Sequence, residues 1–349
     1  MNIAFDSHKR YTLCSVADDR GLVLEEERIE HVRGAIVSYL SRFPSGESVA
    51  VETIGNWYWI VDEIEAAGLK PLLVHARKAK LMMGCINKTD QLDVRGLNRL
   101  QQTGALPTVW IPSGELRDWR DLPRTRMYFG AIRTRLKNRL HASLAKYAQT
   151  VQGVSDIFGP RSREALLVHL DYLPEQTRFT TLEQLAYIDR LTESIKGIDA
   201  RMDDIFTETQ DVSLVRTAPG IGFVLGIVIA LEVGDVTRFA SPGRLASYSG
   251  TVPRVRASGG RISYGRLRPD VNRYLKWAYS EAANSICINR HLWPDRHVAQ
   301  LYTRLREKKG HGTAIGAVAR HLAEATYWML KKKEPYRDPN VKHAASTRV

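Results

Sequence analysis

Four carboxylates stand where acids at that spacing can do chemistry. Asp90 and Asp93 lie three residues apart in "INKTDQLDVRGL", flanked by Lys88 and Arg95. On a helix that interval puts both on one face, with Cβ atoms about 5–6 Å apart. Like charges so placed repel. Two readings stay open for the pair alone, a solvated face of alternating charge and a shared cation. Asp6 and Glu52 shift the balance, because each closes a short apolar run, "NIAF" and "SVAV", of strand character. Taken singly, Asp6 suits a turn cap and Glu52 a helix start. If the two strands are parallel neighbours, however, both carboxylates leave the sheet at its carboxyl edge, where α/β sheets hold their sites. Four acids gathered there need counter-charge, which a hard divalent ion such as Mg2+ provides through oxygen ligands. Such an ion orients phosphate oxygens and stabilises the charge of a phosphoryl-transfer transition state.

The second set of candidates is basic. Between Pro253 and Lys276 the chain carries Arg254, Arg256, Arg261, Arg266, Arg268, Arg273 and Lys276 against one acid, Asp270. Inside this stretch, "RASGGR" holds Ser258 before two glycines. A serine needs a base, a metal or fixed charge to become a nucleophile, and arginines beside it can hold a phosphate. A loop that touches nucleic-acid backbone without chemistry fits the same composition, and spacing does not exclude Ser247, Ser249 or Ser263. Upstream, "APGIGFVLGIVIAL" resembles half of a helix-hairpin-helix. There Gly220 and Gly222 would let the backbone approach a phosphate at a helix N-terminus, although a glycine turn between buried helices reads alike. The formal net charge of +13 points to a polyanionic partner, and Lys88 and Arg95 are expected to join the basic segment in meeting nucleic acid.

These residues require particular elements. Strands are predicted at 2–5, 11–17, 21–29, 48–52 and 70–75, with helices at 32–43 and 56–68 and a last helix carrying Asp90 and Asp93. The order β-β-β-α-β-α-β-α, a meander followed by parallel crossovers, is the one expected of an RNase H-like fold. Long helices follow at 126–147 and 182–206. In the second, Leu185, Ile188, Leu191, Ile195, Ile198, Met202 and Ile205 recur at three and four, a heptad seam that suits either an internal hairpin or pairing between chains. Helices fit again at 294–309 and 313–332, and the tail beyond Lys333 is expected to fray.

Length and composition set the frame. A chain of 349 residues, 44% hydrophobic and 26% charged, is that of a folded soluble protein with two or three domains. No apolar run approaches the ~18 residues of a membrane span, and the first residues lack the apolar core of a signal peptide. Cys14, Cys85 and Cys287 are scattered and odd in number, which suits a reducing cytoplasm rather than a disulfide framework or zinc knuckle.

Taken together, "IAFDSHK", "VAVETIGNWYW", "INKTDQLDVRGL" and "APGIGFVLGIVIALEVGDVTRFASPGRLASYSGTVPRVRASGG" resemble the transposases of the IS110 and IS1111 insertion sequences, the bridge-RNA-guided DNA recombinases. The likeness spans nearly the whole chain, and the order of its motifs is more specific than any one of them. It implies an α/β plus all-α protein. Residues 1–112 would be a RuvC-like domain of RNase H fold, 113–210 a helical coiled-coil linker, 211–333 a mainly α transposase domain with the helix-hairpin-helix-like segment, and 334–349 a tail. It also implies a Mg2+-binding tetrad of Asp6, Glu52, Asp90 and Asp93, with Ser258 as a nucleophile that forms a phosphoserine link to DNA. Strand exchange would pass through a Holliday junction. The partners implied are target and donor DNA, a noncoding guide RNA and further copies of the chain, up to a tetramer joining the tetrad of one subunit to the serine of another. The place implied is the bacterial cytoplasm, at the nucleoid. The sequence departs from the family in its short first strand, and in "SYGRLRPDVN" where a lysine–glycine pattern often follows the serine. Two rivals remain, a metal-dependent junction resolvase-like nuclease that uses water and a non-catalytic nucleic-acid scaffold.

Overall fold

A computed structural model describes residues 1–53, 55–84, 89–206, 209–267 and 270–340. The expected sites Lys88 and Arg268 lie outside them. Two compact units result, Met1–Ile111 and Pro112–Val349.

The first unit runs β1 (Asn2–Ser7), β2 (Tyr11–Ala17), β3 (Val23–Glu30), α1 (Ala35–Leu40), β4 (Ser48–Glu52), α2 (Trp57–Ala66), β5 (Lys70–Val74), α3 (Ala76–Met83) and α4 (Asp90–Gln102). Its sheet has the order β3-β2-β1-β4-β5. The first three strands pair antiparallel, and β1, β4 and β5 pair in parallel. Alternation along the central strands decides which layer lies on which face. Ile3, Phe5, Val49 and Val51 join the core formed with Ile36, Ile60 and Ile64 of α1 and α2. Ala4 and Ala50 point the other way, toward Val94, Leu97 and Leu100 of α4. Two alanines give that helix room to lie close to the sheet. It is fixed there by Asn98, whose amide donates to Ser15 O and Oγ, both at 3.0 Å. Arg95, expected among the cations for nucleic acid, grips Glu26 of β3 through two bonds of 2.6 and 2.8 Å.

The second unit opens with α5 (Gly114–Lys146), followed by α6 (Arg163–Asp171) and α7 (Glu175–Phe206). Contacts Trp119–Phe206 and Arg126–Asp199 near one end, and Tyr147–Thr177 at the other, make α5 and α7 an antiparallel pair. The heptad seam therefore has its own chain's α5 to pack on, with Leu185, Ile188, Ile195 and Met202 buried. The remaining elements are α8 (Gln210–Val215), α9 (Phe223–Val233), α10 (Pro242–Tyr248), β6 (Pro253–Ser258), β7 (Arg261–Leu267), α11 (Arg273–Asn289), α12 (His297–Lys309) and α13 (His311–Lys332). Helix α9, apolar but for Glu232, is buried along most of its length. One cluster joins Met202 and Phe206 of α7 to Val212, Ile227 and Leu231, with Leu116, Trp119 and Leu122 of α5 packed on it. Packing thus continues across residue 210.

The segment after α13 was expected to fray. It docks instead as far as Asn340: Tyr336 N donates to Thr217 Oγ1 at 2.8 Å, and the buried Asp338 carboxylate accepts from His297 N at 3.2 Å. His321 lies beneath, its Nε2 3.1 Å from the Tyr336 hydroxyl. Burial first, and then the neighbouring His297, lower the His321 pKa from its ordinary 6.5. The unfolded histidine protonates at a pH where the folded one resists. This contribution to stability is therefore whole above that value and declines as pH falls through it. Denaturant unfolding between about pH 7.5 and about pH 5.5 is expected to show a loss in wild type that is smaller in His321→Gln. Equal losses in the two proteins would remove His321 from the account.

Candidate metal edge and serine hairpin

The parallel register of β1 and β4 places Phe5 opposite Val51, so Asp6 and Glu52 come next, side by side at the carboxyl edge. By alternation they share the face of Ala4 and Ala50, the face that α4 covers. Thr89 caps α4, its Oγ1 accepting from Leu92 N at 3.2 Å, and Asp90 and Asp93 fall in the first turn. The positive end of a helix dipole favours acids there, which relieves part of their repulsion. Asp90 is carried back to the edge, where one ligand atom each from Asp6, His8 and Asp90 lies within 4.8 Å of the others. Glu52 and Asp93 are half-buried on the same edge and the same helix, outside that close group.

His8 was missed in the sequence, where Ser7–Arg10 reads as a polar turn. The available signal was its position two residues beyond Asp6, on the same face of an extended chain. The turn itself aims it: His8 N donates to Tyr11 O at 2.8 Å, and the Asn56 amide donates to His8 O at 3.0 Å. Nε2 of His8 then lies 3.3 Å from Asp6 Oδ2 and 3.1 Å from Asp90 Oδ2. The Tyr11 hydroxyl donates to the same Asp90 oxygen at 3.0 Å, and that bond raises the phenol's pKa above its ordinary value. Two carboxylates and an imidazole fit a divalent cation. Among the described residues no thiol joins them: burial pushes Cys14 up to about 12, which leaves it an inert core residue.

The "RASGGR" stretch, legible as a loop, is the tip of a β-hairpin. Gly259 and Gly260 take φ of 55° and 77°, the left-handed pair that a two-residue turn requires. Cross-strand pairs Arg256–Ser263 and Ser258–Arg261 put Ser258, Arg254, Arg256, Arg261 and Ser263 on one face. Val255, Ala257, Ile262 and Tyr264 form the other, and Tyr264 is 72% exposed. Ser258 is thus an exposed hydroxyl with a guanidinium directly across the ladder. Of its rivals, Ser249 is fully buried and donates to Leu245 O at 2.8 Å, and Ser247 is half-buried on α10. Ser263 shares the basic face. Arg273 is exposed and bonded to the Tyr274 hydroxyl, and Lys276 is half-buried.

Gly220 makes the close approach expected of it, but to protein. Its φ is +73°, and a Cβ there would meet Ala282 O of α11 at 2.5 Å. Gly222, which caps α9, faces open space. A network that the sequence did not reveal lies in the same unit as the hairpin. Glu232 of α9, 1% exposed, accepts from Arg124 at 2.7 and 3.0 Å and from the Asn272 amide at 2.8 Å. Its one signal was a lone acid in an apolar run.

Comparison with known proteins bears on what this arrangement serves. Residues 212–300 match the family described as "Transposase IS116/IS110/IS902 family". That segment carries the features of this transposase family. The chain is similar to protein y4qE of Sinorhizobium fredii (29% identical, over 70% of this chain and 59% of the relative). It is similar also to the insertion element IS116 44.8 kDa protein of Streptomyces clavuligerus (29%, over 51% and 44%) and to the transposase for insertion sequence element IS1111A of Coxiella burnetii (22%, over 94% and 88%). The chain thus spans about half the length of the first two relatives and most of the third. The matched segment holds the hairpin, Gly220, Gly222 and Glu232, while the carboxylate edge precedes it. Among the described residues no helix is long and apolar enough to cross a membrane.

Proposed function

We propose that this protein is an insertion-sequence transposase of the family matched by residues 212–300, which cuts and rejoins DNA strands under the direction of a noncoding RNA. Asp6, Glu52, Asp90 and Asp93 would form its metal tetrad and Ser258 its nucleophile. The observation that carries the reading is the meeting of Asp6 with Asp90 at the carboxyl end of the central strand. A meander followed by parallel crossovers supports an RNase H-like, RuvC-like assignment for the first unit. A divalent ion held at this edge, Mg2+ in the family resemblance, would stabilise negative charge on phosphate oxygens. Arg256 and Arg261 flank Ser258 and are placed to hold a phosphodiester while the serine oxygen attacks phosphorus. The serine hydroxyl gives up its proton to solvent as its oxygen bonds to phosphorus. The phosphorus–deoxyribose oxygen bond breaks, the departing oxygen takes up a proton from solvent, and the DNA stays linked to the protein as a phosphoserine. Arg254, Arg266 and Arg273 add backbone contacts, and the open N-terminus of α9 at Gly222 suits a further phosphate. Exposed Val168, Tyr172, Phe179 and Tyr187 around α6 and α7 support self-association to a dimer or tetramer. A bacterial cytoplasmic setting at the nucleoid follows from DNA as substrate.

The test is reconstitution. Purified protein, donor and target DNA, the noncoding transcript flanking the reading frame and a divalent metal are expected to give recombinant junctions readable by sequencing. Asp90→Asn should lower their yield at least about a hundredfold, because loss of even an outer partner of a metal ligand costs up to about that much. Junctions formed equally without the transcript would remove RNA guidance. Cleavage with no adduct would favour the water-using resolvase.

A further inference from the structure

We infer that His8 is a metal ligand, and that its imidazole biases this edge toward a first-row transition ion, Mn2+, over Mg2+; the inference rests on the metal reading of the carboxylate edge. The contacts of Nε2 are too close to ignore and wrongly aimed for hydrogen bonds. The nitrogen lies 3.3 Å from Asp6 Oδ2 and 3.1 Å from Asp90 Oδ2. It is shut off from solvent, yet has no hydrogen-bond partner, because neither oxygen lies where an Nε2–H would donate.

Ligands sharing one cation have this geometry. With metal–ligand bonds of about 2.1 Å at right angles, neighbouring donor atoms stand about 3 Å apart, each about 45° off the other's bond axis. A protonated imidazole acting as counter-charge would instead direct its N–H at one of the oxygens. The surrounding bonds fix the donors individually: the β1–β2 turn and Asn56 hold the His8 backbone, and Tyr11 holds Asp90 Oδ2. Outer partners of this kind orient ligands and tune affinity. Carboxylate oxygens serve Mg2+ and Mn2+ alike, whereas imidazole nitrogen favours transition ions over Mg2+. One nitrogen among oxygens therefore shifts the preference without excluding Mg2+.

Mn2+ alone is the probe, added to tag-free full-length protein and followed by electron paramagnetic resonance. The expected result is one bound ion whose spin-echo modulation carries imidazole nitrogen, with the modulation absent in His8→Ala. His8→Ala should weaken Mn2+ at least about tenfold while changing Mg2+ competition far less. Asp6→Asn should weaken both ions. If Mn2+ binds and requires Asp6 but shows no nitrogen coupling, the His8 assignment falls and the carboxylate site stands. Tighter binding in His8→Ala would identify the imidazole as a counter-charge and overturn the ligand role. Binding indifferent to Asp6 and His8 would overturn both.

Discussion

Wild-type protein quenched in denaturant during strand exchange is expected to carry labelled DNA through a denaturing gel, and Ser258→Ala to carry none. The expected loss of adduct and recombinant product is at least about a thousandfold, the scale on which removal of a nucleophile acts. The serine is exposed at a turn held open by two left-handed glycines, so alanine there removes an oxygen and no packing. RNA binding and thermal stability should stay unchanged, which separates lost chemistry from lost fold. The neighbours sharpen the result. Ser263→Ala should keep the adduct, although Ser263 lies on the same face opposite Arg256. Arg261→Ala should lower its yield about a hundredfold, as expected for one donor to a developing oxyanion. An adduct of full yield in Ser258→Ala, lost in Ser263→Ala, would move the nucleophile across the ladder.

What could be read from the sequence follows burial. Strands β1 and β4 alternate large and small apolar residues because two layers cover them, and that alternation leads directly to Asp6 and Glu52 on one edge. The hairpin of residues 253–267 buries little on either face, so its period of two is diluted by arginines and reads as a loop. Only the Gly259–Gly260 turn marks it. The pairing of Arg95 with Glu26 left no trace in the sequence, because Glu26 lies on another strand and pairing at that distance leaves no local pattern. His8 was hidden for a related reason: its role depends on Asp90 returning to the strand end, which topology sets and spacing does not. Gly220 is a point of close approach, but no local signal says whether phosphate or an α11 carbonyl lies opposite.

Glu232 is where the largest structural effect is expected. Its carboxylate, 1% exposed, faces the Arg124 guanidinium in a two-bond pair, Arg120 Nε at 3.8 Å and the Asn272 amide. Removing one member of such a group leaves buried positive charge uncompensated, which costs about 3–5 kcal/mol, far more than an exposed pair contributes. Burial already lowers the pKa of Arg120, and Glu232 is the main influence opposing that shift. Glu232→Ala is therefore expected to lower the stability of the second unit by that amount in denaturant unfolding. Glu232→Gln, which preserves volume but not charge, should recover only part of it. A loss below about 1 kcal/mol would mean that solvent or rearranged side chains satisfy the arginines. The consequence reaches the hairpin. Asn272 caps α11 by accepting from Tyr274 N and Leu275 N, both at 3.0 Å, and its amide is tied to Glu232 and Tyr248. With Glu232 gone, the cap at the foot of the Ser258 ribbon loses its charged anchor. At temperatures where the variant remains folded, adduct formation is expected to fall while RNA binding persists.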